Sequence, residues 1–444
     1  MTFVYGIIGL GLIVIIHEFG HFFASKLMGV KVEAFSVGMG PVLCHKTVRG
    51  VDWRLSLLPI GGYCAMKGEN AFQEALDSGA KEITGEPDSF YGVSPLKRAF
   101  IAFCGPFFNV VFAFIAFVII SLIGYSYYTT GNRVILANEV YPDMISVAGE
   151  AGLKTGDYIV SINNHDTPDF SEISQYISIH PDEDVVLHIE RDGTKSDIVV
   201  HTLLDTSTGA GKIGIVNWVD PVIESVTEGS IAAKAGLVSG DVITAADGVP
   251  VKNVATLSLM LEGKKDFTLT WLHDGIEYSS VFQKESDDVI LAVTFHVNHV
   301  HTKKYSLFGA LLQGLKETGN MIGLTFKSIG LLFKGVDLSS AVSGPVRITK
   351  MLGDTAIEGF TSGFSTGVIT VLNFLALISI SLFIMNLLPV PILDGGLLLF
   401  ALIEAGTRKK LHPKFLYYIQ FVGLAFILGL FGIALFSDIR YLFG

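Results

Sequence analysis

The chain has 444 residues, of which 50% are hydrophobic and only 16% charged, and its mean hydropathy is +0.53. That is too apolar for an ordinary soluble protein and too mixed for one immersed wholly in a bilayer, so several membrane spans and a soluble insert are expected. A formal net charge of −11 argues against nucleic-acid binding, and three cysteines (Cys44, Cys64, Cys104) form no disulfide framework and read as small apolar packing residues.

The first segment, 1–28, reads as a membrane helix. Thr2 to Ile16 carries no formal charge, and the apolar run continues past His17-Glu18-Phe19-Gly20-His21. No basic stretch precedes it and no small-residue cleavage pattern follows, so it does not read as a removed signal peptide. Residues four apart share a helix face, so His17 and His21 can grip one metal ion, and Glu18 can act on water at that metal. The spacing is that of the zinc-protease signature. A chance match of this kind ordinarily sits on a solvated helix face. Inside a span its three polar groups need a partner, which a metal with its water supplies. Catalytic zinc usually takes three protein ligands and leaves one position open, so a third ligand is expected from elsewhere in the chain.

Residues 29–97 contain short β-like runs, 32–37, 52–58 and 62–66, punctuated by glycines such as Gly40 and Gly62. They read either as a small curved sheet beside the metal site, offering an edge to an extended peptide, or as a connecting loop. Glu69 to Ser89 is acidic and reads as a mobile polar stretch. The second span covers 98–128, with Lys97 and Arg98 at its start. Gly105-Pro106 suggests a local break, and Asn109 inside the span needs a partner. That partner is another helix or a group near the metal site.

A soluble region follows, and it contains a repeat. Ala151-Gly-Leu-Lys-Thr-Gly-Asp157 returns 84 positions on as Ala235-Gly-Leu-Val-Ser-Gly-Asp241. Each copy reads as a short helix, a Gly-Asp turn and a strand. Two inserted α+β domains, 129–208 and 209–299, are therefore expected, and they resemble the circularly permuted PDZ domains of bacterial envelope proteases. Ile213-Gly214-Ile215 precedes the second copy and resembles a carboxylate-binding loop for a peptide C-terminus. The first copy lacks so clean a loop, and both domains also fit a reading as spacers or size filters.

Residues 300–362 read as an amphipathic helical region from Tyr305 to Lys334, on the membrane surface or clamped against the bundle, broken at Ser343-Gly344-Pro345. The third span, 363–390, ends in Asn386-Leu-Leu-Pro389-Val-Pro391, where two prolines break the backbone. Asp394 follows in a segment, 391–415, read as a loop, and 416–444 is the fourth span. Arg408, Lys409, Lys410 and Lys414 join Lys97 and Arg98 in marking two loops as cytoplasmic. Spans one and three then run in the same direction. His17 lies about fourteen residues into its helix, roughly 21 Å at 1.5 Å per residue, so it reaches the depth of Asp394. Asp394 is the missing carboxylate ligand.

The ordered set of motifs is similar to the site-2 protease family of intramembrane zinc metalloproteases. It comprises His17-Glu18-x-x-His21, Phe35-Ser-Val-Gly-Met-Gly40, Leu58-Pro-Ile-Gly-Gly-Tyr63, Gly105-Pro-x-x-Asn109, the two repeats, and Asn386-x-x-Pro389 leading to Leu393-Asp394-Gly395. The resemblance implies a membrane α-helical protein with about four transmembrane helices, a membrane-associated β-hairpin region and two PDZ-like domains. It implies one Zn²⁺ held by His17, His21 and Asp394, with Glu18 as catalytic base. Asn386 and Pro389, the glycine-rich stretches carrying Gly40 and Gly62, and Asn109 would bind unwound substrate. The substrates would be single-span membrane proteins, such as anti-sigma factors or remnant signal peptides, cut within the membrane after a first extracytoplasmic cleavage. The setting implied is a bacterial cytoplasmic membrane, with the PDZ-like domains outside and the zinc site toward the cytoplasm.

Overall fold

The computed structural model describes residues 1–68, 70–206, 208–283, 291–331 and 343–443. The chain separates into two compact units, Met1–Tyr125 with Thr302–Gly444, and Ser126–His301.

Among the described residues of the first unit four helices are long and apolar enough to cross a membrane: Thr2–Met28, Pro95–Ile123, Phe364–Asn386 and Pro413–Arg440. Helices in lipid gain nothing from hiding apolar surface from one another, so close contact depends on small residues. The first two spans meet at such residues. A Cβ on Gly20 would lie 2.3 Å from the Cys104 carbonyl oxygen, and one on Gly105 would lie 2.2 Å from His21 Nε2. Gly105-Pro106 does not break the second span, contrary to the sequence reading. The helix runs through Pro106, because buried neighbours surround the turn that the missing N–H weakens.

The segment expected as a loop at 391–415 is largely helical. After Asn386 the chain turns and a new helix, Asp394–Thr407, begins at Asp394 itself. A Cβ on Gly395 would lie 2.3 Å from the Leu387 and Leu388 carbonyl oxygens, and one on Gly396 2.3 Å from that of Val390. The two glycines let this helix start directly against the turn, and its mostly apolar continuation from Leu397 to Ala405 favours burial over a solvated loop.

The helix Leu307–Leu331 is clamped against the second span: Ala310 and Thr318 are buried, and a Cβ on Gly314 would reach Val118. Lys334 lies outside the described residues. Gly344 caps the next helix, Pro345–Thr361, and the buried Asp438 carboxylate accepts hydrogen bonds from the Gly344 and Val346 N–H groups at 3.0 and 2.9 Å.

Residues 32–66 form two long strands, Val32–Val48 and Val51–Met66, bent on themselves. Ser36 lies opposite both Tyr63 and Arg54, and His45 is also opposite Arg54, so the two strands make a curved sheet several rungs wide. The sheet docks on the first span through Phe22, Phe35 and Trp53, whose rings lie 5.2–5.7 Å apart. The stretch read as mobile, Glu69–Ser89, instead packs where it is described. A helix forms at Ala71–Asp77, and Ala75 and Ile83 are buried with Phe400 and Leu416. Its apolar residues outweigh its acidic ones in deciding its place; Glu69 is outside the described residues.

The second unit contains two lobes with the same sheet order. In the first, the strands run His165–Asp166, Tyr158–Ile162, Asp184–Arg191, Thr194–His201; in the second, Val249–Pro250, Val242–Ala246, Asp266–His273, Ile276–Gln283. Both Gly-Asp turns are stapled alike: Asp157 accepts from the Lys154 N–H at 2.8 Å, and Asp241 from the Val238 N–H at 2.9 Å. The boundary expected at 208/209 moves. Ile215–Asn217 pairs with Val134–Leu136, and Ile213 is buried among Val134, Ala148 and Ile159. Ile213-Gly214-Ile215 therefore closes the first lobe instead of opening the second. Its equivalent in the second lobe is Leu291-Ala292-Val293, with Leu291 buried and Val293–Phe295 paired to Ile223–Val226. Gly214 is required at its place: φ is +73°, and a Cβ would lie 2.2 Å from the Ile145 carbonyl oxygen.

Candidate metal centre

Helical spacing puts His17 and His21 on one face of the first span, and the start of the Asp394 helix faces them. His17 Nε2 lies 3.1 Å from Asp394 Oδ2, His21 Nε2 3.3 Å from Asp394 Oδ1, and the two Nε2 atoms 3.2 Å from each other. Bonds of about 2.0–2.2 Å to a tetrahedral zinc place donor atoms roughly 3.3–3.5 Å apart, so the three ligand atoms already stand at close to the spacing of a metal site. Among the described residues this is the single group of three or more His, Cys, Asp or Glu that could hold a metal ion.

The donor chemistry also fits. His21 Nδ1 lies 3.0 Å from the Ile101 carbonyl oxygen. A carbonyl can only accept, so the proton sits on Nδ1 and the Nε2 lone pair faces the metal position. His17 Nδ1 lies 3.4 Å from Asn109 Nδ2, while Asn109 Oδ1 is buried with no partner among the described residues. Turning that amide over lets Oδ1 accept from Nδ1–H. This gives the oxygen a partner and leaves the His17 Nε2 lone pair for a metal.

The three candidate ligands and Glu18 line a cavity of about 270 Å³, whose other walls include the strand segment Tyr63–Met66 and Ile101, Ala102 and Phe90. Glu18 takes a hydrogen bond from the Cys64 backbone and lies against Gly62, where a Cβ would be 3.6 Å from Glu18 Cγ and 2.7 Å from the Ser36 carbonyl oxygen. A carboxylate, a set of donors able to hold a metal and a strand thus share one cavity, the arrangement needed to activate water against an extended peptide.

A match to the model of peptidase family M50 spans residues 5–430. The chain belongs to peptidase family M50. It is a membrane metallopeptidase of the site-2 protease type. Two relatives extend the likeness over nearly the whole length. A protein provisionally named a zinc metalloprotease in Treponema pallidum (strain Nichols) is 40% identical over 99% of this chain and 98% of its own. The regulator of sigma-E protease RseP of Escherichia coli (strain K12) is 29% identical over 97% of each.

The remaining candidate residues of this M50 chain are placed less centrally. Asn109 is fully buried and touches His17 on the side of the ring away from Asp394, so its contact is with a ligand and not with the cavity. Asn386 ends the third span, partly buried, and Pro389 is exposed in the turn before Asp394; neither lines the cavity. Gly40 is exposed beside Leu58, away from the ligands. Sequence reasoning missed three supports. The Ile101 carbonyl is a main-chain atom and carries no side-chain signal. Gly105 was visible but was read as a helix breaker. Arg98, read as a topology marker, is ion-paired with Glu404.

Proposed function

We propose that this chain is a zinc-dependent intramembrane endopeptidase that cuts single-span membrane proteins within their membrane segment. The observation that carries the reading is the convergence of His17, His21 and Asp394 from two separate helices on one point, with Glu18 in the same cavity. His17 Nε2, His21 Nε2 and the Asp394 carboxylate would hold one zinc ion. When bound, zinc polarises the scissile carbonyl and lowers the pKa of water.

The chain's own residues do the rest. The Glu18 carboxylate takes the proton of the attacking water and delivers it to the leaving amine nitrogen. Ile101 and Asn109 hold the two imidazoles in the tautomer that leaves Nε2 free. A transmembrane helix keeps its carbonyls in internal hydrogen bonds, so the substrate must unwind. The Tyr63–Met66 segment beside Glu18 is extended and suits pairing with the unwound strand. Asn386, the last residue of the third span, and Pro389, in the turn leading to Asp394, would hold substrate on its way in.

The two lobes of the second unit are read as PDZ-like domains. Their shared sheet order and positive-φ loops support that, and a peptide C-terminus at Ile213-Gly214-Ile215 is the partner this reading expects. Basic residues at 97–98 and 408–414 support a cytoplasmic membrane with these lobes outside and the zinc toward the cytoplasm. Substrates would be those already trimmed outside, such as anti-sigma factors or signal-peptide remnants.

The test is Glu18→Gln against the unmutated protein in membranes, with a single-span substrate truncated on its outer side. Cleavage is expected to drop by about 10²-fold or more, with zinc content kept, as loss of a general base predicts. Equal cleavage by both proteins would overturn the mechanism.

A further inference from the structure

The helix that carries Asp394 is fastened, at a point remote from the three candidate ligands, to the span that orients His21. His21 is oriented by the Ile101 carbonyl of the second span. Asp394 is carried by the helix Asp394–Thr407, whose first turn rests on the Leu387–Val390 backbone through Gly395 and Gly396. The other end of that helix is held by Glu404. Its Oε2 pairs with Arg98 Nη2, and its Oε1 accepts the Leu411 N–H at 2.8 Å. Arg98 and Glu404 are both largely buried, at 12% and 7% side-chain exposure. Arg98 precedes Ile101 by one turn on the same helix face. The pair therefore joins the helix that orients one ligand to the helix that supplies another.

A buried ion pair is a poor way to gain stability, because two apolar side chains of similar size usually do as well. What it adds is direction: each charge accepts few alternative partners, so the two helices lock in one register. We propose that Arg98 and Glu404 are positioning residues for the metal centre, setting the distance of Asp394 from His17 and His21. Among the described residues Arg98 Nε has no partner, so the grip runs through the Nη2 edge of the guanidinium, and a lysine ammonium can partly replace it. The inference rests on the zinc reading above.

The test uses the full chain in detergent, loaded with zinc and challenged with a chromophoric chelator. The variants are Glu404→Gln, Arg98→Lys and the double Arg98→Met/Glu404→Gln, whose amide oxygen keeps the acceptor for the Leu411 N–H, and the thermal stability of each zinc-free protein is measured alongside. The double variant leaves no lone buried charge, so it covers the case in which a single variant fails to fold. Zinc release is expected to accelerate about tenfold or more in Glu404→Gln and in the double variant. In the double variant, zinc-free stability should be kept, and Arg98→Lys should fall between. With a cleavable substrate, kcat should fall while KM holds. Release at the unmutated rate in the double variant overturns the proposal, as does acceleration that merely tracks lost zinc-free stability. An unmutated chain that holds no stoichiometric zinc overturns the functional reading as well, which separates the two failures.

Discussion

At the scale of single residues, the centre depends as much on atoms that are absent as on those that ligate. A methyl group at position 105 would occupy the space of His21 Nε2, the atom proposed to face the metal. Alanine is a better helix former than glycine by about 1 kcal/mol, so propensity alone predicts that Gly105→Ala is harmless. The packing predicts otherwise. Gly105→Ala should lower zinc affinity by roughly tenfold or more, as disturbing a ligand's support does, while the purified protein stays folded; zinc-to-protein ratios after dialysis decide it. His17, Glu18, His21 and Asp394 were all legible in the sequence because ligand chemistry limits the residue types and helical spacing limits their order. Asn109 was legible too, but not its side of the ring. It neighbours His17 Nδ1, and only the tertiary structure shows which side of the ring it meets.

At the scale of elements, the curved sheet is tied to the stretch after it by one lysine. Lys67 Nζ lies 2.6 Å from Glu86 and 2.8 Å from Asp88, and the Phe90 N–H bonds to the Lys67 carbonyl, bringing Phe90 to the cavity wall. Asp88 and Glu86 push the Lys67 ammonium up to about 12. Lys67 holds the Asp88 carboxyl below its ordinary value of 3.8. The signs give the window. The raised lysine contributes fully below its ordinary value of 10.5 and loses its contribution as pH climbs through about 12. The lowered aspartate contributes above 3.8 and loses its share as pH falls through its depressed value. Proteolysis of residues 84–93 should therefore be flat from pH 6 to 9 and rise only outside that window, in acid below about 3.8 and in strong alkali as pH climbs through about 12. A rise near neutrality would contradict the tie. The helix Asp394–Thr407 makes a second point at this scale. Its glycines and prolines read as a loop, because those residues usually mark one, yet here they serve the close start of a helix on a turn.

At the scale of the whole molecule, the chain is two units with separate cores. Ser126 and His301, the ends of the second unit, are paired in register, so this unit leaves and rejoins the chain at neighbouring points. Replacing 126–301 with a short glycine-serine link should leave zinc content within about twofold of the full chain, since both ligand-bearing helices and their supports lie in the first unit. Loss of zinc on excision would show that the second unit supports the centre.

Composition, run lengths and the repeat determined the number of apolar spans, the doubled insert and the candidate ligand set, because solvent, lipid and metal each select residue types strongly and locally. The tertiary structure decided the rest. It set which lobe owns Ile213-Gly214-Ile215, that Pro106 is carried through a continuous helix, that residues 71–89 pack, and that Arg98 meets Glu404. Each of these turns on a partner distant in sequence. A side chain records what kind of neighbour it tolerates, whereas which neighbour arrives is settled by the packing of the whole chain.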